Sequence, residues 1–368
     1  MAKLPELCSI QYGYAFDSAY FTEDHAYPPL VRIRDVKRGY SETFYSGAYP
    51  SDYVIDNGSL LVGMDGEFNI ARWKGGKALL NQRVCKITAR EHVSEEYIRF
   101  ALTKALKEIE NRTAFVTVKH LSAKELNQLE IDIPDFETQV QISETLLKIE
   151  NIISIRQQQL QKLDELVKAR FIEMFDNWEY NTVRLGNVCT KITDGTHKTP
   201  NYLDAGVPFI SAKNIVNGKI DFSDIKYISE EEYMDIQKRC RTELNDVLLT
   251  KSGSLGTPAI VKTSNRIGLF ESLAVIKYDR TKLTPEFLCE QLKTERIQRQ
   301  FRTGTKGVAI KHLHLGVIAD VEIIVPDIER QNQFAAFVKQ VDKLRIAVQK
   351  ALDETQMLFD SLMQKYFE

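Results

Sequence analysis

The sequence predicts a mixed α/β (α+β) fold in which two tandem globular domains are separated and followed by long helices that pair as an antiparallel coiled coil. Two observations predict it. The stretch "EIDIPDFETQVQI", Glu130–Ile142, returns as "EIIVPDIERQNQF", Glu322–Phe334, at an offset of 192 residues. Each copy is followed by a long amphipathic segment without proline or glycine. This offset is far longer than a solenoid repeat and indicates two copies of one large unit.

The repeated stretch is typical of a strand that ends at a proline and a helix that starts directly after it. Pro134 and Pro326 cannot extend a strand ladder, and each biases the residue before it towards extended geometry. Aspartate and glutamate are favoured in the first turn of a helix. We therefore expect the helices to begin near Asp135 and Asp327.

Both helices carry apolar residues at the alternating spacing of three and four that is typical of a coiled-coil seam. The first seam, interrupted only by Arg156, comprises Ile142, Leu146, Ile149, Ile153, Leu160, Leu163, Val167 and Phe171. The second, interrupted by Arg345, comprises Phe334, Val338, Val341, Val348, Leu352 and Phe359. Roughly 37 residues at about 1.5 Å each give a rod of about 55 Å. Two unrelated amphipathic helices, each on its own domain, are the alternative; the shared offset favours pairing.

These features divide the chain into a first domain at 1–128, a central linker with a long coiled-coil helix at 129–182, a second domain at 183–320 and a C-terminal coiled-coil helix at 321–368. The repeat extends weakly into both domains, because "VTVKHL" and "VAIKHL" recur at the same offset of 192. With 43% apolar residues, the chain can bury real cores. The halves share a scaffold and differ in detail, as expected if each binds a different target at an equivalent surface.

Composition restricts the location of the protein and its partners. No apolar run approaches membrane-spanning length and the N-terminus lacks a signal-peptide pattern, so we expect a cytoplasmic protein with no membrane partner. Five cysteines without a Cys-x-x-Cys pair favour reduced thiols over disulfides or zinc. The net charges of residues 1–128, 129–176, 177–320 and 321–368 are +1, −5, +4 and −2. This division fits globular parts that face an anion and helices that do not.

Catalytic motifs are missing from the sequence. "PDFE" and "PDIE" are similar to half of a nuclease metal site, but no lysine follows at the required spacing, and helix starts explain both copies. "HLH", at residues 312–314, could place two imidazoles on one strand face but has no third ligand nearby, so no metal site is expected. Neither a Walker loop, a dinucleotide-binding glycine motif, an amino-methyltransferase motif nor a serine nucleophile elbow is present. We expect a binding protein without chemistry of its own.

Several stretches combine the side chains that bind nucleic acids. Aromatic and basic residues interleave in "QYGYAFDSAYF" and "LVRIRDVKRGY", and polar residues accompany lysine in "TDGTHKTPNY" and "SAKNI". A dense basic stretch comprises Lys293, Arg296, Arg299, Arg302, Lys306 and Lys311. Arginine, lysine, asparagine and glutamine read base edges, and tyrosine, threonine and serine bind phosphates. The alternative is that the aromatics are core and the charges a solvated rim.

The whole chain resembles the specificity subunits of type I restriction-modification systems. The resemblance rests on the twofold plan, on "GYAFDSAYF" and "GSLLVGMDGEFNIARWKGGKALLNQRV" in the first half, on "DGTHKTPNYLDAGVPFISAKNI" in the second, and on both P-D-x-E-x-Q helix starts. It implies two target recognition domains, each reading one half of a split, asymmetric sequence in double-stranded DNA. The helices would act as a ruler, and about 55 Å against about 34 Å per DNA turn places the half-sites on the order of one turn apart.

The resemblance also implies partners, cofactors and DNA-contacting residues. Two modification (methyltransferase) subunits would supply S-adenosylmethionine, and restriction subunits would supply ATP and magnesium chemistry, so this non-catalytic chain needs no cofactor. The DNA-binding residues expected in the first domain are Tyr12, Tyr14, Arg32, Arg34, Lys37, Gln82, Arg83, Lys119 and His120. Those expected in the second are His197, Lys198, Thr199, Lys213, Asn214, Lys251, Ser252, Lys306, Lys311 and His312. A duplicated scaffold that binds only proteins is the alternative.

Overall fold

Two structural units, each with one globular domain, make up the chain. The computed structural model describes residues 1–112, 120–175, 180–304 and 312–367. Unit 1 comprises Met1–Gln157 and Lys350–Glu368, and unit 2 comprises Gln158–Gln349. Both units contain parts of two long helices, α5 (Phe136–Phe175) and α10 (Ile328–Phe367). The predicted mixed α/β class is confirmed.

Unit 1 is built on an antiparallel four-stranded sheet of order β2-β10-β7-β8. A smaller three-stranded sheet has the order β4-β9-β6. The amphipathic helix α3 buries Ile98, Leu102 and Leu106 with residues of β7 and β10 in the main core. The strands are β1 (Ala2–Lys3), β2 (Cys8–Tyr12), β3 (Phe21–Thr22), β4 (Leu30–Val31), β5 (Phe44–Tyr45), β6 (Val54–Ile55), β7 (Leu60–Gly63), β8 (Ile70–Arg72), β9 (Ala78–Leu80), β10 (Val84–Ala89) and β11 (Glu130–Ile131). The shorter helices are α1 (Leu4–Leu7), α2 (Ile33–Arg38), α3 (Glu95–Arg112) and α4 (Ala123–Gln128).

Unit 2 repeats this plan with an antiparallel sheet of order β13-β21-β18-β19 and a smaller sheet of order β17-β14-β20. Its main core combines the sheet with Phe287 and Leu288 of α7 and Phe301 of α8. The strands are β12 (Thr182–Arg184), β13 (Cys189–Asp194), β14 (Val207–Ile210), β15 (Ile215–Val216), β16 (Lys219–Ile220), β17 (Lys226–Ile228), β18 (Val247–Thr250), β19 (Pro258–Ile260), β20 (Gly268–Leu269), β21 (Leu273–Tyr278) and β22 (Glu322–Ile324). The shorter helices are α6 (Glu230–Arg239), α7 (Pro285–Lys293), α8 (Glu295–Gly304) and α9 (Leu315–Asp320).

The repeated strand-proline-helix junction returns the chain to the start of each domain. Strand β11 pairs antiparallel with β1, and β22 pairs antiparallel with β12. Asp135 caps α5, since the backbone N–H of Thr138 donates to its carboxylate at 2.9 Å and the Thr138 hydroxyl at 2.7 Å. These hydrogen bonds lower the pKa of Asp135. The helices begin one residue after Asp135 and Asp327, as predicted.

The glutamine of each repeated motif locks this junction to the neighbouring helix. Gln139 accepts from the N–H of Ser94 at 2.9 Å and donates to the carbonyl of Pro134 at 2.8 Å. Gln331 accepts from the N–H of Thr284 at 2.9 Å and donates to two carbonyls, those of Lys282 and Pro326, both at 2.8 Å. Both glutamines are buried. Each junction therefore contains a backbone N–H and at least one backbone carbonyl that the amide of this glutamine satisfies.

Within each unit the two long helices run antiparallel. In unit 1, Leu146 of α5 shares a core cluster with Met363 of α10. In unit 2, the rings of Phe171 and Phe334 meet edge to face at 5.5 Å. The buried seam residues of α5 and α10 are Leu146, Ile149, Val167, Phe171, Phe334, Val338 and Val341. The partly buried ones are Ile142, Ile153, Leu160, Leu163, Val348, Leu352 and Phe359.

The two arginines that interrupt the seams bind the facing helix. Within unit 1, the Arg156 guanidinium donates to the carbonyl of Ala351. Within unit 2, Arg345 pairs with Asp164 at 2.6 Å and with Asp342 on its own helix. Polar groups at seam positions favour one register of a coiled coil over its alternatives. The interruptions therefore fit the pairing of the helices and do not break it.

Two further predictions concern thiols and membranes. All five cysteines are free, and burial is the main cause that raises the pKa of each thiol to about 12. They are therefore protonated and unreactive at neutral pH. Within the described ranges, no helix is both long enough and apolar enough to span a bilayer.

Candidate nucleic-acid interface

Chain segments that hydrogen-bond to one another close one end of the main sheet in unit 1. The turn at residues 81–83 connects β9 to β10, and its Gln82 N–H donates to the carbonyl of Tyr14 at 2.7 Å. The N–H of Met64, directly after β7, donates to the carbonyl of Arg83 at 2.9 Å. The loops after β2, β7 and β9 are therefore held together at one edge of the domain.

Unit 2 contains the same arrangement. The turn at residues 270–272 connects β20 to β21, and its Glu271 N–H donates to the carbonyl of Thr196 at 3.0 Å. The N–H of Lys251, directly after β18, donates to the carbonyl of Ser272 at 2.8 Å. The two turns are structurally equivalent, so Glu271 corresponds to Gln82, and Ser272 corresponds to Arg83.

Close backbone approach explains a glycine in each copy. A Cβ on Gly13 would stand 2.0 Å from the carbonyl oxygen of Asn81, and a Cβ on Gly195 would stand 2.0 Å from that of Leu269. A side chain at either position would push the turn away from the sheet. The glycines lie in the "QYGY" and "TDGT" stretches that the sequence singled out.

A histidine completes each loop cluster. His120 and His312 are related by the repeat, and each is followed by a leucine. The N–H of Leu121 donates to the carbonyl of Met64, directly after β7, at 2.7 Å, and the N–H of Leu313 donates to the carbonyl of Lys251, directly after β18, at 2.9 Å. Each histidine is therefore brought beside the segment that follows the strand. We call these surfaces loop cluster 1 (the turn at 81–83 with Tyr14, Asp65 and His120) and loop cluster 2 (the turn at 270–272 with Asp194, His197, Lys251 and His312).

Arg83 is the most prominent cation of loop cluster 1. Its φ of 71° is left-handed, a conformation that costs a non-glycine residue roughly 1–2 kcal/mol. The Arg83 side chain is 52% exposed, and its Nε lies 3.6 Å from an oxygen of Asp65. Its Nη1 lies 3.3 Å from His120, which also contacts Asp65. Asp65 and His120 therefore hold one side of the guanidinium while the other side faces solvent.

The two predicted tyrosines are in different environments: Tyr14 belongs to loop cluster 1, and Tyr12 lies in the adjoining strand β2. Tyr12 is partly buried in β2, and its hydroxyl lies 3.4 Å from Asn127. Tyr14 is 41% exposed and packs on Phe16 and Tyr53, with ring centroids 5.1 Å apart in both pairs. Tyr14 is therefore the better placed of the two for contact with a ligand.

The predicted basic residues at α2 all have partners; Arg34 and Lys37 are exposed, and Arg32 is partly buried. Arg32 precedes the helix, and its guanidinium lies over the ring of Phe21 at 5.8 Å. Arg34 donates to the hydroxyl of Thr43 at 3.2 Å. Lys37 lies 3.8 Å from Glu67. Exposed pairs of this kind are weak, so these cations can exchange their partners for phosphates.

Loop cluster 2 is organised around a buried carboxylate. Asp194 and Lys251 are 2% and 3% exposed and form an ion pair, and Arg239 pairs with the other oxygen of Asp194. His197 contacts Asp194 at 3.4 Å and Glu271 at 2.7 Å. Two cations, one imidazole and two carboxylates are thus joined in one network.

The charges of this network control its titration. Burial alone would raise the pKa of Asp194, but hydrogen bonds from Lys251 and Arg239 outweigh it and lower the pKa. Burial and the nearby charge of Lys251 lower the pKa of His312. Asp194 therefore stays ionised and His312 stays neutral at neutral pH.

Other predicted residues of the second domain remain accessible. Lys198 and Thr199 are exposed, and Ser252 is partly buried. Lys213 is 52% exposed and pairs with Asp224 at 3.3 Å. All four are compatible with contact to a ligand.

Two predicted residues are used inside the protein instead. Asn214 is 4% exposed, accepts from the N–H of Ser211 at 3.0 Å and donates to the carbonyl of Asp224 at 3.0 Å. The Lys251 ammonium donates a hydrogen bond to the carboxylate of Asp194. Both side chains are buried, so neither is accessible to a base or a phosphate, and both support the surface from inside.

Of the four described residues of the dense basic stretch, Lys293, Arg299 and Arg302 pair with acids on their own helices. Lys293 contacts Glu290 at 2.6 Å, and Glu295 binds both Arg299 at 3.0 Å and Arg302 at 2.5 Å. Its remaining lysines, Lys306 and Lys311, lie outside the described residues, as does Lys119 in the first domain. Arg296 is exposed on α8.

Sequence reasoning missed three acids of these clusters, Asp65, Asp194 and Glu271, and also the neighbouring Arg239, which pairs with Asp194. Composition arguments set acids aside for a DNA-binding surface. Asp65 lies within the quoted stretch "GSLLVGMDGEFNIARWKGGKALLNQRV", whereas Glu271 lies in none of the quoted stretches. Arg239 is 45 residues from Asp194 along the chain, and no local pattern connects them.

Neither cluster has the ligands of a metal centre. No group of three or more histidine, cysteine, aspartate or glutamate side chains is placed to hold a metal ion in the part of the chain that the structure describes. The "HLH" sequence could have formed a strand, but His312 and His314 do not lie on one: they directly precede α9, and His314 is its N-cap residue. Their rings lie 5.8 Å apart without a third ligand.

The fold and the two loop clusters define a duplicated binding protein whose domains present equivalent surfaces with different side chains. The family model described as "Type I restriction modification DNA specificity domain" matches residues 1–165 and again 176–355. The chain therefore belongs to the family of type I restriction-modification specificity subunits.

Similar proteins agree with this assignment. The chain is 29% identical to the Escherichia coli type I restriction enzyme EcoBI specificity subunit, over 99% of this chain and 84% of that protein. It is 20% identical to the MjaVIII specificity subunit of Methanocaldococcus jannaschii, over 88% and 81%. The crystal structure of a type I S subunit from M. genitalium covers 100% of this chain and 95% of its own, with a TM-score of 0.58 at 15% identity. A structure from work on type I complex assembly covers 100% and 97%, with a TM-score of 0.55 at 17% identity.

Proposed function

We propose that this chain reads a bipartite, asymmetric target in double-stranded DNA, with one half-site bound by each domain. The observation that carries the proposal is the structural equivalence of loop clusters 1 and 2, combined with the difference in their side chains. Equivalent backbones give two domains the same docking geometry, and different side chains give them different base preferences. A split target without internal symmetry follows from this combination.

The long helices α5 and α10 are proposed to set the gap between the half-sites. Each contains 40 residues without proline or glycine, which corresponds to about 60 Å of helix. Their partly buried seam and the arginine contacts favour one register of pairing. A fixed register would hold the two domains at a constant separation, as a ruler requires.

The chain itself is proposed to be non-catalytic and to work within a complex. Two modification subunits would bring S-adenosylmethionine and methylate adenine, and restriction subunits would bring ATP and magnesium-dependent chemistry. The acidic helical segments, with net charges of −5 and −2, are proposed to face these proteins because they would repel phosphates. The alternative, a scaffold that binds only proteins, assigns no role to the exposed donors of loop cluster 1.

The purified chain alone is expected to yield neither DNA cleavage nor methyl transfer when incubated with DNA, Mg²⁺ and S-adenosylmethionine. The physical reason is that neither loop cluster combines a metal centre or nucleophile with a cofactor-binding glycine loop. Labelled methyl incorporation and gel electrophoresis would measure both activities. The same chain supplemented with modification subunits is the control and should methylate. Cleavage or methylation by the chain alone would contradict the non-catalytic assignment.

A further inference from the structure

The equivalent turns at 81–83 and 270–272 differ in hydrogen-bonding chemistry, because the first presents side-chain donors and the second does not. In the first domain the turn presents Gln82 and Arg83, which are both exposed and both carry donors. In the second domain the corresponding positions hold Glu271 and Ser272. Ser272 is 8% exposed and its hydroxyl accepts from the N–H of Ala212 at 3.0 Å. Glu271 is then the polar side chain left at this turn, and it carries acceptors only.

Arg83 is prepared for a bidentate contact. Asp65 and His120 contact its Nε and Nη1, and its Nη2 makes no hydrogen bond with the residues that the structure describes. The backbone N–H and carbonyl bonds on either side fix the left-handed turn, so the guanidinium is directed before any ligand arrives. A restrained arginine loses less conformational freedom on binding, and its planar fork matches O6 and N7 of guanine.

Glu271 is restrained in the same way. One carboxylate oxygen contacts Nδ1 of His197 at 2.7 Å, while the other has no hydrogen bond within the described ranges. Its side chain is 31% exposed. His197 in turn contacts Asp194 and Arg239, which anchor it to the buried network. In the major groove a carboxylate accepts from the N4 amino group of cytosine and is repelled by the acceptors of guanine and by phosphates.

We propose that the two equivalent turns enter the major groove of their half-sites, where Arg83 selects a guanine and Glu271, which stands one position earlier in its turn, selects a cytosine. This inference rests on the proposed function and adds the chemistry of one base in each half-site. It also assigns Asp65 and His197 as positioning residues, because they orient Arg83 and Glu271 without reaching the base themselves.

The test compares methylation motifs of variant complexes. The chain is co-expressed with the modification subunits of its system, and methylated adenines are sequenced on a plasmid library for the wild type, Arg83→Lys, Arg83→Asn and Glu271→Gln. Lysine keeps the charge and loses the fork, and asparagine tolerates the left-handed turn, so neither change threatens the fold. Arg90→Ala is the matched control, because this exposed arginine lies at the opposite end of β10 from Arg83.

Each Arg83 variant is expected to relax the motif at one guanine of one half-site, with a loss of discrimination on the order of ten- to hundredfold, while the other half-site is unchanged. Glu271→Gln is expected to relax one cytosine of the other half-site. Asp65→Asn should weaken the same guanine preference to a smaller extent, which a merely structural role would not do.

Other outcomes overturn the inference in distinguishable ways. A uniform loss of methylation with an unchanged motif would make Arg83 a phosphate contact, and an unchanged motif at full rate would remove it from the interface. In both cases a wild-type bipartite motif would leave the proposed function standing. A wild-type complex without any motif would overturn the proposed function and this inference together.

Discussion

Replacing Asp194 by alanine is expected to lower the free energy of unfolding of unit 2 by about 3–5 kcal/mol. Lys251 is 3% exposed, and Asp194 is its one carboxylate partner among the described residues. The substitution therefore leaves Lys251 as a buried charge without that partner. An uncompensated buried ammonium costs more than the ion pair contributes. Urea unfolding at pH 7, followed by circular dichroism, would measure the loss.

A double variant separates the ion pair from general damage to the fold. Methionine occupies position 64, the equivalent of Lys251 in the first domain, and is buried there. Asp194→Ala combined with Lys251→Met is therefore expected to recover at least half of the lost stability, because no buried charge remains. Asp320→Ala, in an exposed pair with Arg184, is the control and should change stability little. A double variant as unstable as the single one would contradict this explanation.

The same pair predicts how the effect depends on pH. The folded-state pKa of Asp194 lies below the ordinary value of 3.8, so its ionisation stabilises the fold above that pH, and the contribution is lost as the pH falls through the folded-state pKa. The difference in stability between the wild type and Asp194→Ala should therefore shrink below about pH 4.

Replacing Gln331 by alanine is expected to cost roughly 3 kcal/mol, because it leaves the N–H of Thr284 and the carbonyls of Lys282 and Pro326 without their partner in a buried site. Gln139→Ala should cost less, since the Gln139 amide satisfies two backbone groups and not three. Thermal unfolding would measure both effects, with hydrogen exchange followed at the Thr284 N–H for Gln331→Ala and at the Ser94 N–H for Gln139→Ala.

An exposed glutamine on α5, the helix that contains Gln139, provides the control for this comparison. Gln141 is exposed and its side chain contacts only Glu137, at 3.4 Å, among the described residues. Gln141→Ala is expected to leave stability nearly unchanged. Equal losses at Gln139, Gln141 and Gln331 would show that the amides stabilise the helix through propensity and not through the junction.

The helices were predicted from apolar periodicity, and their starts were predicted from proline and acidic residues. Both signals are local in the sequence. Proline, a capping aspartate and apolar residues every three or four positions are all visible within one stretch of sequence. The role of Gln139 and Gln331 was not predicted, although both belong to the repeated motif. Their partners, Ser94 and Thr284, lie 45 and 47 residues away, and sequence spacing carries no information about that contact.

For the same reason, the sequence predicted only in part which of the candidate DNA-binding side chains are exposed, and their contact with DNA stays a prediction. Arg83 and Lys198, which the family resemblance implied, are exposed. Asn214 and Lys251 have suitable side chains, but tertiary contacts with Asp224 and Asp194 occupy them. Burial of a polar residue depends on which acid the fold brings beside it, and composition does not reveal this.

The most direct test of the bipartite reading is to co-express the chain with the modification subunits of its system and sequence the methylated adenines of a plasmid library. Two recognition domains held by a helical ruler predict a single two-part motif whose halves differ and whose gap has one length. Methylation that is absent, that is scattered without a motif, or that follows one continuous site would contradict this account.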